Sequence, residues 1–352
     1  MTTVTIASRK SVRRQGRKRR AYDGRSPLRF VLEWYFSRVY GRSEGPTQLP
    51  FYCKPERVGE FAVSPAELAV GDGKAVFRLF VALSMYQGLR DVVVMRRQRA
   101  SSRAMMGVVA DLSLLKELIA TSNCPAMLET EAFEARCDVS KHGKAVDCVT
   151  CPGAPCHVKD ATVVFNRMAD MGKLPTSAWL RVWRDGDVQR AVAETCQSET
   201  VPTKRAQLLV ERFAQVHRVG RKLATMFVSA LSTPGLAPGL TPWFPDIDGN
   251  ELVVIDTNVA QAVDKLRESD RLKTYKAREC WVREQAASFD LRAFRPELPG
   301  YSPRLVQQAL YTFCSRSNRL ARGDSCADRK APCAECAPTL CPFVPRWSDS
   351  SG

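Results

Sequence analysis

Four cysteines crowd the end of this 352-residue chain: Cys326, six residues, Cys333, two residues, Cys336, four residues, Cys341. Thiols at such short intervals cannot each disappear into a separate part of a core, and the segment has to fold around whatever they hold together. A metal ion or an iron–sulfur cluster is the chemistry that wants thiolates at this spacing. A second set repeats the pattern at Cys137, Cys148, Cys151 and Cys156, with gaps of ten, two and four and with His142 and His157 close by. Eight of the thirteen cysteines therefore fall in two ligand-like clusters, a usage that belongs to a reducing compartment rather than to a disulfide framework. Zinc on four thiolates suits the second set, and a second iron–sulfur cluster is its rival. Cys53, Cys124, Cys196, Cys280 and Cys314 stand alone and are expected to be buried thiols.

Around these clusters the chain is globular and mostly helical. The hydrophobic share is 45%, enough for one large or two modest cores. Apolar residues recur at helical spacing over 27–40, 75–86, 161–171, 178–183, 206–216, 221–231 and 305–314, while strand alternation is scarce. The segment from Arg96 to about Asp160 looks irregular, and a Pro/Gly-rich loop runs from Pro234 to Pro245. No stretch has the apolar length of a membrane span, and no apolar segment follows the basic start as in a secretory signal.

The net charge of +16 points to an acidic partner such as nucleic acid. Residues 1–26 hold nine basic side chains against Asp23, so half of the excess lies in a tail expected to be disordered and the other half in the folded part. The tail reads either as a solubilising arm or as a tether working through counterion release on a polyanion.

Two short strings carry the candidate chemistry. In Val219-Gly220-Arg221-Lys222-Leu223-Ala224, a glycine lets backbone N–H groups approach a phosphate, and the helix start near Arg221 adds its positive end. By itself the string also suits a helix-capping glycine followed by two solvated cations. In Val254-Ile255-Asp256-Thr257-Asn258-Val259, Asp256 sits at an expected helix start, where aspartate is a good N-cap. A carboxylate there and an amine nearby could act together on one carbon that becomes cationic.

Taken with the terminal cysteines, these strings resemble the helix-hairpin-helix DNA glycosylases, most closely the endonuclease III branch. Phe77 to Gln87 resembles that family's first barrel helix, and Leu305 to Leu310 running into the quartet resembles its cluster-binding end. The resemblance spans residues 75 to 343, with gaps. It implies an all-α fold of two helical domains flanking a DNA-binding cleft. One would be a six-helix barrel with the helix-hairpin-helix motif, spanning 75–245 with a Cys-rich metal-binding insertion at about 100–160. The other, at 246–352, would carry the catalytic aspartate and a [4Fe-4S] cluster on Cys326, Cys333, Cys336 and Cys341. Residues 27–74, an N-terminal helix and connector, would pack with the cluster domain.

The resemblance further implies Lys222 as nucleophile and Asp256 as its electrostatic partner. Val219, Gly220, Arg221, Arg329 and Lys330 would meet DNA phosphates, and Gln87 would fill the space left by a flipped base. The implied activity is base excision with AP-lyase cleavage on double-stranded DNA carrying a damaged or mismatched base, oxidised pyrimidines first. A monomer is expected, cytoplasmic and nucleoid-associated in a bacterium or nuclear in a eukaryote. A glycosylase that only removes bases, and a non-catalytic metal-stabilised DNA-binding protein, are the alternatives. The chain departs from the family pattern at Arg218, where a hairpin glycine is usual, and at His217, where a proline precedes it. It also departs in a longer stretch from Lys222 to Asp256 and in a last cysteine gap of four rather than five.

Overall fold

A computed structural model describes residues 26–40, 49–166, 168, 170–184, 187–267 and 272–315. Among the described residues there are sixteen α-helices, a handful of short 3-10 turns, one π-helical stretch at Trp179–Trp183 and no strand. The fold is all-α. No helix of the described residues is long and apolar enough to cross a membrane.

The expected helices form close to where apolar spacing placed them: Pro27–Arg38, Gly73–Ser84, Pro202–Phe213, Arg221–Ser232 and Pro303–Cys314. Local chemistry sets their ends. Asp72 caps the Gly73–Ser84 helix by accepting from the backbone N–H groups of Lys74 and Ala75 at 3.0 and 2.9 Å. Nine of its twelve residues are buried, and only Lys74 and Arg78 form a charged side, so a central position suits it.

Two hydrophobic cores result. The larger draws on residues from Tyr52 to Leu252, and its centre is an aromatic nest. There Phe213 meets Phe80, Trp183, Phe227 and Trp243 at centroid distances of 5.5, 5.8, 4.8 and 6.2 Å. Phe213 is fully buried, and Phe213→Ala is expected to cost about 3–5 kcal/mol of stability in a denaturant titration. The smaller core joins the Pro27–Arg38 helix to residues 253–313, with Trp34 set edge-on to Phe313 at 5.0 Å.

Two expectations about organisation need correction. The stretch from Arg96 to Asp160 is irregular only in part: residues 137–156 hold no helix beyond the 3-10 turn Lys141–Gly143, but the helices Arg103–Ala110, Leu112–Ala120 and Thr130–Arg136 precede them. The stretch folds because Met106, Val109, Leu115, Ile119, Phe133 and Val139 reach the larger core, and helices of seven to nine residues are too short to show a sustained apolar face in the sequence. The connector after residue 49 packs away from the smaller core. Tyr52, Val58, Phe61 and Leu68 belong to the larger one, leaving the Pro27–Arg38 helix as the N-terminal part of the smaller.

Candidate functional site

Lys222 lies in the first turn of the Arg221–Ser232 helix. Gly220 caps that helix without a side chain: Leu223 N donates to Gly220 O at 3.0 Å, and no side chain caps the N–H groups of Arg221 and Lys222. Gly220 is exposed, its φ of −86° is ordinary, and a Cβ placed on it would meet nothing within 4 Å. The free fold therefore does not demand glycine at this position.

The turn before it does demand a special backbone. Arg218 has φ +64°, the left-handed region in which a glycine is at ease, and a side chain there costs roughly 1–2 kcal/mol. The arginine offsets part of the strain by pairing with Asp170. The other oxygen of Asp170 meets His217 Nε2 at 2.9 Å. Burial opposes ionisation of Asp170, but the two basic neighbours hold its carboxyl below the usual range. The backbone N–H of His217 donates to Ser177 Oγ at 2.9 Å, and Ser177 is bonded in turn to Glu134 from the Thr130–Arg136 helix. The cysteine-rich segment thereby braces the hairpin.

Other residues expected at a DNA backbone are already engaged. The side chain of Val219 is buried, and its N–H donates to Val216 O at 2.8 Å, which removes it as a phosphate donor. Arg221 reaches the buried Glu279 at 3.3 Å, and that carboxylate also holds Arg283 at 2.9 Å. Gln87 follows the Gly73–Ser84 helix, where its Nε2 donates to Ser84 O at 2.8 Å and to Arg218 O at 3.1 Å. It would have to release the hairpin before it could enter a duplex.

Asp256 is the N-cap of the Thr257–Leu266 helix, and its Oδ1 accepts from Val259 N at 2.7 Å. The extended segment before it has no strand to pair with, so side chains satisfy its backbone. Val254 N donates to Gln307 Oε1, Ile255 N donates to the Tyr275 hydroxyl, and that hydroxyl donates to Val253 O. Burial raises the Asp256 carboxyl above its ordinary value, against the opposing pull of the Val259 N–H and the Lys222 charge.

Lys222 and Asp256 line one cavity of about 370 Å3. Its walls come from both cores, with Tyr35 from the smaller and Tyr52, Leu83 and Tyr86 from the larger. Lys222 Nζ donates to Tyr86 O at 3.2 Å. Three cavity residues had not been singled out in the sequence: Arg304, Asp91 and Tyr311, the last two hydrogen-bonded to each other. Arg304 sits second in a helix whose neighbouring positions are apolar. A cation among Pro303, Leu305 and Val306 was the available signal for it.

The cysteines divide between described and undescribed residues. Cys326, Cys333, Cys336 and Cys341, with Arg329 and Lys330, lie outside the described residues, as does the basic tail up to residue 25. Cys137, Cys148, Cys151 and Cys156 are half-buried. Burial pushes the Cys137 thiol up to about 11, and Cys156 and Cys124 lie close enough to add to that rise. Among the described residues, no three His, Cys, Asp or Glu side chains gather closely enough to hold a metal ion. His157 does not turn toward a metal either; it is buried, its ring facing Thr176 Oγ1 at 3.1 Å. Of the lone cysteines only Cys53 is buried; Cys124, Cys196 and Cys314 are half-buried and Cys280 is exposed, against expectation.

Set against protein-family models, curated proteins and solved structures, the chain matches none in any of the three.

Proposed function

We propose that the protein is a DNA glycosylase with AP-lyase activity, acting on a nucleotide flipped from the duplex into the cavity between the two cores. One observation carries this reading: Lys222 and Asp256, far apart in sequence, share the wall of a single cavity large enough for a base.

The chemistry follows from an amine and a carboxylate at one sugar. Lys222, as the neutral amine, attacks C1′. The glycosidic bond breaks, its electron pair leaves with the base, and the base takes up a proton. The Asp256 carboxylate stabilises the positive charge that builds on C1′ and the ring oxygen. The amine proton passes to the ring oxygen as the sugar opens to an imine. Loss of a C2′ proton then expels the 3′-phosphate, and water releases the unsaturated sugar from Lys222.

A [4Fe-4S] cluster on Cys326, Cys333, Cys336 and Cys341 belongs to this reading as a structural element that shapes a DNA-facing loop with Arg329 and Lys330. Zinc or a second cluster at Cys137, Cys148, Cys151 and Cys156 would require those thiols to draw together. Iron and zinc counts on anaerobically purified protein test both.

The decisive experiment is borohydride trapping on a duplex with one abasic site. An imine intermediate yields a covalent adduct; no adduct and no nick here, with base release from a damaged duplex, would leave only a glycosylase that uses water.

The hairpin makes its own prediction. Gly220→Ala should change stability by no more than about 1 kcal/mol, since the free fold has room for a methyl group there. Duplex affinity should fall about tenfold, the equivalent of one obstructed phosphate contact, when measured by anisotropy at fixed salt. An unchanged affinity would remove the hairpin from the DNA interface.

A further inference from the structure

Arg304 is buried, with 7% of its surface exposed, and it lines the cavity that holds Lys222 and Asp256. All its hydrogen bonds go to neutral groups. Nε donates to Ser229 Oγ at 3.0 Å, and Nη1 donates to Gln307 Oε1 at 2.6 Å and Gln308 Oε1 at 3.1 Å. Among the described residues no carboxylate lies within ion-pair distance of it, and Nη2 donates to none of them. A buried guanidinium is normally matched by a counter-charge, because the interior replaces so little of its hydration. Burial pulls this one down to about 10, which still leaves it charged at neutral pH.

The surroundings point the same way. The Tyr86 hydroxyl, on the same cavity wall, is buried and has no hydrogen-bond partner. Lys54 and Arg57 also line the cavity. The two carboxylates there have other attachments: Asp91 holds the Tyr311 hydroxyl and Asp256 caps its helix. A neutral base entering this space would expel water and leave Arg304 with neutral hydrogen-bond partners only, the Asp256 carboxylate acting on it from beyond ion-pair distance. An oxyanion would meet the guanidinium fork with two parallel hydrogen bonds.

We infer that the cavity selects a flipped base bearing an oxyanion, a carboxylate or phosphate substituent, and that Arg304 is the residue that recognises it. This rests on the glycosylase reading above and narrows its substrate from damaged pyrimidines in general to anionic ones.

The test compares excision rates on duplexes that differ in one base. 5-Carboxycytosine is set against the neutral 5-formylcytosine, and 5-hydroxymethyluracil against its phosphate monoester. At least one anionic base should be removed about tenfold faster than its neutral counterpart, and the pair that responds identifies the carboxylate or the phosphate. Arg304→Gln should bring that ratio to about one, while Arg304→Lys, which keeps the charge without the fork, should retain part of it.

Equal rates for anionic and neutral bases, or excision of none of them, overturn the inference even if abasic DNA is trapped. If Arg304→Gln does not fold, the wild-type ratio alone decides. Failure of the wild-type protein to trap abasic DNA sinks the glycosylase reading itself, a result distinct from all of these.

Discussion

Lys222→Gln is expected to eliminate the borohydride-trapped adduct and to lower strand cleavage by about 10³-fold or more, the scale on which removal of a covalent nucleophile acts. Glutamine keeps much of the length and the donor capacity of the lysine, so it can still donate toward Tyr86 O. What it lacks is an amine that can form an imine. Stability should change little, since Lys222 is half-buried and makes that one hydrogen bond. Duplex binding by anisotropy separates the two roles a hairpin lysine can have. A variant that binds but neither cleaves nor traps fits the nucleophile. A variant that cleaves and traps normally but binds weakly shows a phosphate contact and ends the AP-lyase assignment.

Asp256→Asn should produce an opposite pairing of effects, lost activity with kept or improved stability. Removing the charge that faces the cationic sugar is expected to reduce base excision by about 10²–10³-fold in single-turnover assays. The cap survives, because asparagine accepts from Val259 N as well as aspartate does. The sign of the stability effect follows from the raised carboxyl. Unfolded, the aspartate ionises near 3.8; folded, it does so at higher pH, so ionisation works against the fold. The protonated group's contribution is complete below pH 3.8 and disappears as pH rises through the folded value. At neutral pH the variant should therefore melt at or above the wild-type temperature, with the difference closing toward pH 3. In the wild type, the acid limb of the excision rate should lie above 3.8, where Asp256 takes up its proton. A variant that melts far lower and recovers activity when cooled would mark Asp256 as a cap alone.

Legibility varied by segment for physical reasons. The Gly73–Ser84 and Arg221–Ser232 helices were visible because each carries a long apolar pattern, the second with Gly220 marking its start; the Asp72 cap of the first emerged only in the structure. Asp256 was legible as an N-cap because an aspartate before a polar-to-apolar helical run announces itself locally. The Tyr275–Ala286 helix was missed: five of its twelve residues are charged, and only Glu279, Val282 and Ala286 are buried. The helices between Arg103 and Arg136 were missed because each is under ten residues long and shows only a few apolar contacts. Arg218 was read as a departure from glycine, yet the Asp170 carboxylate that steadies its left-handed backbone sits on a segment remote in sequence.

Local order along the chain was enough to establish an all-helical protein, to mark the amine at 222 and the carboxylate at 256, and to show that its cysteines come in clusters. Periodicity, capping and spacing act over a few residues and survive in a string of letters. Only the folded chain could decide that Lys222 and Asp256 meet at one cavity, that Val219 faces inward, and that Arg304 is buried there hydrogen-bonded to neutral groups alone. These depend on which helix faces which, and burial, charge pairing and cavity shape arise only when residues distant in sequence are brought together by the two cores.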